Sequence, residues 1–392
     1  MARNPIKDKV AIVGIGSTGF SRDGGGRSRN SLAAEAAVQA IRDAGLAAAD
    51  IDGVVATAHS AAWMASALGL PAVTHYVSHP MPLVFGITDA MNAIFSGSAD
   101  CVLVYHAVYR TPATSRSAYA DPFRRKLGFG GTEPTVPERH EPESIFGGPG
   151  YTAWASRWAH EYGDLREALG RIAVNDRSGA LLNPLAAMRE PLTLEDYMKA
   201  RMVREPLCIL DMDVPVDGAD AFVLTTAERA RDLPRKPVYI HAATNGLIGQ
   251  CQEDQTPGLH HHGQHVVIEE LRAKSDIWIP DVDVYLPYDG FSFITLSWIE
   301  NIGWCKPGEG PAFLRQHWDA AKNRLMINGR IPMNPHGGAL SEGGTQGSGH
   351  IREAVTQLRG DAGARQAPGA RTAFLTPGGF FFNAQGLVLR TD

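Results

Sequence analysis

The sequence predicts an α/β protein, and two kinds of pattern carry this prediction. Val10–Ile15 and Ile51–Ala56 are short apolar runs with the length of buried strands. Between these runs, Leu32, Ala36 and Ile41 recur at the spacing of one helix face. Because strand, helix and strand alternate along the chain, we expect a largely buried sheet that is covered by helices.

The following elements continue this alternation. We expect Ser31 to cap the first helix and Gly45 to end it, because a serine hydroxyl accepts from free helix N–H groups and glycine tolerates the left-handed turn. The apolar spacing then predicts a helix over Leu83–Phe95 and a buried strand over Cys101–Tyr105. Cys101 is therefore interpreted as a small core residue and not as a nucleophile.

Residues 111–207 interrupt the alternation with glycine, proline and polar residues, after which helical patterns resume. A long excursion between two strands is often a lid, so we interpret this segment as an inserted loop or lid region. A strand is predicted next at Ala219–Thr225, and a charged linker follows at Arg231–Pro237. We therefore place an N-terminal half at residues 1–235 and a C-terminal half at residues 236–392.

The C-terminal half repeats the order of strand, glycine turn and helix. Its predicted strands are Val238–Ala243, Asp283–Leu286, Thr372–Leu375 and Leu387–Leu389. The shared order indicates a duplication, although the two halves show no clear sequence repeat.

The composition excludes several classes of protein. The chain has 392 residues, of which 44% are hydrophobic and 20% charged, as is usual for globular proteins. A formal net charge of −5 argues against nucleic-acid binding, and no apolar run is long enough for a membrane span. The start of the chain lacks the apolar core of a signal peptide, so we expect a cytoplasmic protein whose four cysteines are reduced.

The segment Met333–His350 holds six glycines in eighteen residues and leads directly into a helical pattern. Glycine allows backbone angles and close approaches that other residues resist, and a helix start offers free N–H groups. The segment therefore predicts the wall of an active site or a ligand seat. A tight surface turn before a helix is the alternative.

Five short motifs occur in a fixed order along the chain. They are Val10–Gly16, Gly97–Val102 (GSADCV), Asp217–Ala221 (DGADA), Tyr288–Phe291 (YDGF) and Asn334–Gly338 (NPHGG). With these motifs the chain resembles the thiolase superfamily, specifically the sterol-carrier-protein-type thiolases and their lipid-transfer-protein-like relatives. The resemblance implies a thiolase fold, in which two duplicated α/β halves form a five-layer αβαβα arrangement, with the lid inserted.

The chain departs from thiolases at three catalytic positions. The resemblance places the nucleophilic cysteine near Pro80, yet there is no cysteine between Met1 and Asp100. The second cysteine would fall in Thr376–Gly379, and the G-H-P histidine at Gly344. Thiolytic acyl transfer through a low-pKa thiolate is therefore not expected. A small shift of the alignment would put Ser78 or His79 at the nucleophile position.

Steroid side-chain aldolases resemble this chain in lacking the nucleophile. They cleave a β-hydroxyacyl-CoA by a retro-aldol reaction and act with a partner that carries an OB-fold and a zinc ribbon. A tyrosine of that branch matches Tyr288, whereas a second family tyrosine would fall at Gly344 and is missing. The resemblance therefore implies a CoA-thioester aldolase, with coenzyme A as part of the substrate and no separate cofactor.

The predicted catalytic residues are Tyr288, His336 and His350. Tyr288 is expected to act as a base if its pKa is lowered, or as a donor to a developing oxyanion. His336 and His350 are its candidate acid–base partners because a histidine titrates near neutrality. Ser341 and Glu342 are predicted to cap the following helix as an alternative role. The predicted substrate-binding residues are His79, Asp289, Gly337, Gly338, Gly344, Gly378 and Gly379.

Two roles within this set are more specific. Asp289 is expected to fix its loop, because successive side chains point in different directions. The N–H groups around Gly337–Gly338 and Gly378–Gly379 are expected to hold the thioester oxygen.

Four histidines, His260, His261, His262 and His265, lie within six residues. Such a group can bind zinc or nickel, but no carboxylate or cysteine arrangement completes a recognisable site, so we expect no metal there.

Two further functions remain open beside the aldolase. One is a thiolase-type acyltransferase with an atypical nucleophile, for which Ser78 is the candidate. The other is a non-catalytic thiolase-fold subunit that binds lipid or scaffolds a partner. The resemblance also implies a homodimer.

Overall fold

The computed structural model describes residues 4–22, 26–57, 59–79, 83–110, 148–248, 258–379 and 383–391. The strands are β1 (Val10–Ser17), β2 (Gly53–Thr57), β3 (His75–His79), β4 (Cys101–Tyr109), β5 (Met202–Arg204), β6 (Leu207–Cys208), β7 (Asp217–Thr226), β8 (Val238–Gly246), β9 (Val284–Pro287), β10 (Trp318–Asp319), β11 (Arg324–Ile327), β12 (Ile331–Pro332), β13 (Thr372–Thr376) and β14 (Ala384–Arg390).

The α-helices of the same residues alternate with these strands. They are α1 (Arg29–Asp43), α2 (Ala61–Leu68), α3 (Leu83–Phe95), α4 (Gly148–Tyr162), α5 (Arg166–Ala180), α6 (Leu194–Met198), α7 (Ala227–Ala230), α8 (Gly263–Lys274), α9 (Ser292–Ile302), α10 (Gly310–Gln316) and α11 (Ser348–Arg359). A π-helical turn, Gly338–Glu342, precedes α11.

Nine strands form one sheet in the order β3-β2-β4-β7-β1-β8-β14-β13-β9. In its N-terminal part, β2 pairs in parallel with β3 and β4, and β7 is antiparallel to β4 and β1. In its C-terminal part, β9 and β13 are parallel and β14 is antiparallel to β13 and β8. The two parts meet where Ala11 and Ile12 of β1 pair with Tyr239 and Val238 of β8.

Helices cover both faces of each part of the sheet. α1 and α2 pack on the outer face of the N-terminal part, and α8 and α9 pack on the outer face of the C-terminal part. Between the two parts, Ile87 of α3 and Val355 of α11 share one apolar cluster with Val104 and Leu387. The layers are thus helix, sheet, helix, sheet and helix, which confirms the five-layer α/β arrangement expected from the sequence.

Most predicted elements are present within a few residues of their expected ends, and α3 has the predicted bounds. The predicted cap of α1 is wrong. The helix begins at Arg29, and the hydroxyl of Ser28 accepts from the Ser31 N–H at 3.1 Å. Gly45 lies just beyond the C-cap with a φ of +72°, the left-handed conformation for which glycine was expected there.

The described part of the predicted lid is an integral wall of the structure, and residues 111–147 of that prediction lie outside the described residues. Helix α5 is buried along most of its length and packs against the π-helical turn. A Cβ on Gly179 of α5 would lie 2.6 Å from the Pro335 carbonyl oxygen, so the two backbones are in direct contact. Within the described residues, no helix is both long and apolar enough to cross a membrane.

Candidate active site

Tyr288 and Asp289 directly follow β9 and begin the loop that leads to α9. The Tyr288 N–H donates to the Thr376 carbonyl at 2.9 Å, which extends the pairing of β9 and β13 by one residue. The phenol folds back over the chain, because a Cβ on Gly290 would lie 2.7 Å from the Tyr288 hydroxyl oxygen. Position 290 therefore requires glycine for Tyr288 to hold this orientation.

Asp289 is completely buried and organises the glycine-rich loop. Its Oδ1 accepts from the Ala339 N–H at 2.7 Å, and its Oδ2 accepts from the Leu340 N–H at 2.9 Å. A Cβ on Gly338 would approach the same carboxylate to within 2.8 Å of Oδ1 and closer still to Oδ2. This loop-fixing contact is the role that the sequence led us to expect of Asp289.

Asp289 also orients His350. The Nε2 of His350 lies 3.0 Å from Asp289 Oδ1, and the Nδ1 has no hydrogen-bond partner in the described parts of the chain. Burial opposes the ionisation of Asp289, but the hydrogen bond and the charge of His350 outweigh it, so the pKa of Asp289 is lowered. When His350 is neutral, an ionised Asp289 holds its one ring proton on Nε2, which leaves the Nδ1 lone pair available as a proton acceptor.

A second buried carboxyl group, Asp176 of α5, lies against Asp289. Burial and the neighbouring Asp289 carboxylate raise the pKa of Asp176 well above its usual range. The raised pKa favours the protonated form of Asp176, and Asn175 Nδ2 donates to Asp176 Oδ1 at 2.9 Å. A proton held on Asp176 removes the repulsion that two buried anions would create.

His336 lies beside His350, with the ring centroids 4.8 Å apart and the rings nearly perpendicular. Burial, followed by the charges of His350 and Arg352, lowers the pKa of His336 well below its usual value. Neither ring nitrogen has a hydrogen-bond partner among the described residues, and Nε2 lies 3.9 Å from Glu342 Oε2. His336 is thus a buried neutral imidazole at neutral pH.

Glu342 does not cap α11, contrary to the alternative considered for it. Its carboxylate accepts from Asn183 Nδ2 at 2.6 Å and pairs with Arg352. Arg352 Nε in turn lies 3.3 Å from Asp220 Oδ1, and Ser348 donates to the Asp220 carboxylate at 2.6 Å.

The capping role is also wrong for Ser341. Its hydroxyl accepts from Arg177 Nε of α5 at 3.0 Å, and the residue before α11 is Gly347, with a φ of +93°. Both polar side chains of this turn therefore tie the glycine-rich loop to its neighbours instead of closing the helix start.

A bidentate ion pair occupies the space beside Gly344. Arg110, which follows β4, donates to Asp213 through Nη1 at 2.6 Å and through Nη2 at 3.1 Å. Nη1 also donates to the Gly344 carbonyl at 3.1 Å, and a Cβ on Gly344 would lie 2.6 Å from it. The Gly344 N–H is engaged with the Val214 carbonyl at 2.8 Å, so this residue offers no N–H to a substrate.

The environment of Tyr288 favours its protonated form. Burial and the negative charge of Asp213 raise the pKa of Tyr288, against the opposing positive charge of Arg110. The ring of His350 lies 5.9 Å away between centroids. Of the two roles expected for Tyr288, the structure therefore favours the hydrogen-bond or proton donor over a base that is ionised in the free protein.

The remaining predicted glycines lie close to this cluster. The Gly337 N–H donates to the Asn334 carbonyl at 3.0 Å, so it is already engaged, and a Cβ on Gly337 would lie 2.7 Å from that of Ala180 in α5. The terminal turn, which follows β13 and includes Pro377, contacts the start of α11. A Cβ on Gly347 would lie 2.6 Å from the Pro377 carbonyl oxygen.

Gly378 and Gly379 belong to that terminal turn. The Gly378 carbonyl accepts from Trp298 Nε1 at 2.7 Å, and a Cβ on Gly379 would lie 3.0 Å from the Tyr151 hydroxyl oxygen. Their predicted role in holding the thioester oxygen stays a prediction.

His79 lies apart from the other predicted site residues. It ends the edge strand β3, and its Nε2 lies 3.0 Å from Asp89 Oδ2 of α3. In the described residues, no contact joins His79 to Tyr288 or His350. The Asp89 carboxylate, which also faces His75 at 3.6 Å, accounts for the position of this histidine.

The thiols in the described ranges are unsuited to nucleophilic attack. Burial raises the pKa of Cys101 and of Cys305 to about 12, and it also raises the pKa of Cys208. Cys101 packs on the α1 side of the sheet, opposite α3, as expected of a core residue. Cys251 and the segment around Pro80 lie outside the described residues.

The histidine group before α8 makes ordinary structural contacts. His260 lies 3.0 Å from the Tyr162 hydroxyl and 2.9 Å from Asn301 Oδ1. Burial lowers the pKa of His262 to about 3 and that of His265 to about 4. Among the residues that the structure describes, no group of three or more His, Cys, Asp or Glu side chains is arranged to hold a metal ion.

Several residues of this site were not identified from the sequence. They are Arg110, Asp176, Asn183, Asp213, Asp220 and Arg352. The polar pair Asn175–Asp176 within the apolar pattern of α5 was a usable signal, because a buried helix face rarely carries a carboxylate without a partner. The distant pairing of Arg110 with Asp213 left no local pattern.

Comparison with known proteins agrees with this architecture. The Thiolase C-terminal domain-like family matches residues 269–391. The chain is 33% identical to a steroid side-chain-cleaving aldolase of Thermomonospora curvata over 98% of each chain. It is 32% identical to a 17-hydroxy-3-oxo-4-pregnene-20-carboxyl-CoA lyase of Mycobacterium tuberculosis, covering 91% of this chain and 92% of that protein.

A solved structure, the Ltp2-ChsH2(DUF35) aldolase, superimposes with a TM-score of 0.82 at 31% identity and covers 99% of both chains. The fold thus defines a thiolase-type protein, and its sequence has no cysteine between Met1 and Asp100, where the resemblance placed the thiolase nucleophile. The chain belongs to the thiolase superfamily, in the lipid-transfer-protein-like branch near the steroid side-chain aldolases. The predicted family and fold are confirmed, and the relatives' names bear out the predicted aldolase class.

Proposed function

We propose that this protein is a carbon–carbon lyase that cleaves a bulky, steroid-derived β-hydroxyacyl-CoA by a retro-aldol reaction. The products are a ketone or aldehyde and a shorter acyl-CoA. One observation carries the proposal: a protonated Tyr288 and an Asp289-oriented His350 lie together, in a family whose similar members are named aldolase and lyase. Proton transfer is the chemistry that these groups provide.

The reaction balances with proton transfers alone. His350 accepts the proton of the β-hydroxyl on Nδ1, and the Cα–Cβ bond breaks as the carbonyl forms at Cβ. The electron pair of that bond becomes the thioester enolate, and the Tyr288 phenol protonates its Cα. The proton held by His350 then returns to Tyr288, so coenzyme A enters as part of the substrate and no separate cofactor is consumed.

Burial fits this division of roles. Tyr288 is partly exposed, whereas His336 and His350 are buried, so Tyr288 is the most accessible of the three side chains. Asp289 acts on His350 as the carboxylate of a catalytic triad acts on its histidine, by fixing the tautomer and the ring orientation. His336 is a neutral neighbour that shapes the pocket around His350.

The test is a product assay with 17-hydroxy-3-oxo-4-pregnene-20-carboxyl-CoA, the substrate in the name of one relative. We expect a steroid ketone and a shorter acyl-CoA by mass spectrometry, without consumption of free CoA. Tyr288→Phe should lower kcat by about 100-fold or more. Tyr285→Phe is the matched control, because Tyr285 lies on the same strand but packs against Trp304 and Phe374.

Two outcomes would contradict the proposal. Consumption of CoA with a trapped acyl-enzyme would indicate the acyltransferase. Absence of turnover, with lipid binding or partner binding retained, would indicate the non-catalytic subunit.

We also propose that the active form contains a second copy of this chain and an OB-fold, zinc-ribbon partner in the cytoplasm. The Ltp2-ChsH2(DUF35) aldolase has two components in its name. The edge strand β3 supports self-association, since Tyr76 is 63% exposed there and edge strands are rarely left uncovered. Light scattering of the purified chain, and mass spectrometry of proteins that co-purify with it from its own cells, test these two proposals.

A further inference from the structure

Gly344 marks the position at which the resemblance placed a second tyrosine. The space beside its Cα is filled by the Arg110 guanidinium, 2.6 Å from the site of a Cβ, and by the Asp213 carboxylate. A tyrosine therefore cannot occupy position 344 while this ion pair is in place. Two side chains from other elements thus fill the space beside this position of the glycine-rich loop.

The ion pair is rigidly held. The Arg110 backbone N–H donates to Asp217 Oδ1 at 2.7 Å and to the Val216 carbonyl at 3.1 Å. The guanidinium binds Asp213 through two nitrogens, which fixes its plane as well as its position. Its third hydrogen bond, to the Gly344 carbonyl, fastens it to the glycine-rich loop.

The same pair lies next to the loop that carries Tyr288. The Asp213 N–H donates to the Gly290 carbonyl at 3.0 Å, and Gly290 is the residue over which the phenol folds. Four groups act on the phenol from the elements around it: Arg110, Asp213, the neighbouring Asp289, and His350 at 5.9 Å between rings. Of these, Arg110 is the permanent cation.

We propose that Arg110, fixed by Asp213, is a positioning residue for Tyr288 whose charge supports the phenol oxygen when it carries negative charge. This inference rests on the proposed function, in which Tyr288 gives its proton to the enolate carbon and is briefly a phenolate. The proton returns from His350, so Arg110 itself gains and loses nothing.

Removal of the Arg110 charge and removal of the Asp213 charge should shift the ionisation of Tyr288 in opposite directions. Arg110→Gln leaves the Asp213 anion beside the phenol, so the phenolate becomes harder to form. Asp213→Asn leaves the Arg110 cation unopposed, so the phenolate becomes easier to form. A purely structural pair would lose activity in both variants without moving the ionisation of Tyr288 in opposite directions.

The experiment follows the ionisation directly. Difluorotyrosine, whose phenol is more acidic than that of tyrosine, is placed at position 288 and titrated by fluorine NMR in the full-length protein. We expect the midpoint to rise by about 1 pH unit or more in Arg110→Gln and to fall by a similar amount in Asp213→Asn. Arg110→Lys, which keeps the charge, should restore most of the first shift. Arg330→Gln, which breaks an exposed pair with Asp283, is the matched control and should shift nothing.

Turnover completes the test. Arg110→Gln should lower kcat about 10- to 100-fold with a small change in KM, and Arg110→Lys should recover part of the loss. Midpoints that stay unchanged, or that move in the same direction in both variants, would overturn the inference. Opposite shifts in a protein that shows no lyase turnover would support the coupling of the pair to Tyr288 and refute the proposed function instead.

Discussion

Substitution of Asp289 by asparagine tests the central contact of the site. The carboxylate accepts three hydrogen bonds, from the Ala339 N–H, the Leu340 N–H and His350 Nε2. An amide of the same shape has a single acceptor oxygen. If that oxygen takes the place of Oδ1, it keeps Ala339 and His350, but the amide nitrogen then opposes the Leu340 N–H.

The magnitude follows from these three bonds. Hydrogen bonds to a charged acceptor contribute about 1.5–3 kcal/mol each and neutral ones about 1 kcal/mol, so one lost bond and two weakened bonds amount to about 4 kcal/mol. The lower desolvation cost of an amide offsets about 1 kcal/mol of this loss. We therefore expect Asp289→Asn to destabilise the protein by about 3 kcal/mol and to weaken the hydrogen bond that holds the proton of His350 on Nε2.

Asp176→Asn is the matched control at the same depth. The raised pKa favours a protonated, uncharged Asp176, and an amide of the same shape reproduces that lack of charge. We expect a change in stability of about 1 kcal/mol or less. The assay is the urea midpoint of both variants and of the wild type at neutral pH, read by circular dichroism. Equal destabilisation by the two variants would refute the assignment of a proton to Asp176.

Three further predictions concern the same site. Burial and Asp289 raise the pKa of Asp176 in the folded chain. The contribution of Asp176 to stability is therefore greatest below the unfolded pKa of about 4 and falls as the pH rises through the folded pKa. The urea midpoint of Asp176→Asn relative to wild type should increase with pH, and a constant difference would contradict this. Gly344→Ala places a Cβ 2.6 Å from Arg110 Nη1 and should displace the Arg110–Asp213 ion pair. We expect kcat to fall by about 10-fold, with a small change in thermal midpoint. Unchanged kinetics would show that the ion pair moves freely. Cys101→Ala combined with Cys305→Ala should keep kcat within about twofold, since both thiols have raised pKa values; loss of turnover in the folded double variant would reveal a role for sulfur.

Much of the fold could be predicted because its signals are local. The apolar spacing of Leu83–Phe95 and the apolar run at Cys101–Tyr105 each bury one continuous surface, and both elements are present in the structure. The order of the motifs Asp217–Ala221, Tyr288–Phe291 and Asn334–Gly338 likewise indicated the family, which the comparisons confirm. The cap of α1 was misplaced because three serine and asparagine residues follow one another closely, and local chemistry does not choose among them.

The sequence also identified four of the chemical groups in the site. Tyr288, Asp289, His336 and His350 were identified from their motifs, and the structure brings their side chains together. The sequence did not determine their protonation states, because a pKa depends on burial and on charges that come from distant parts of the chain. The sequence does not distinguish a tyrosine with a lowered pKa from one with a raised pKa.

Tertiary structure alone decided how protons are distributed in the site. Asp289, more than a hundred positions away, contributes to the raised pKa of Asp176, and Arg110 meets Asp213 and Gly344 across 103 and 234 positions. Such contacts form only when α5, the end of β4 and the glycine-rich loop converge, so no local pattern records them. The physical reason is that charge is stabilised by what surrounds a group in space, whereas helices and strands follow from what surrounds it in the chain.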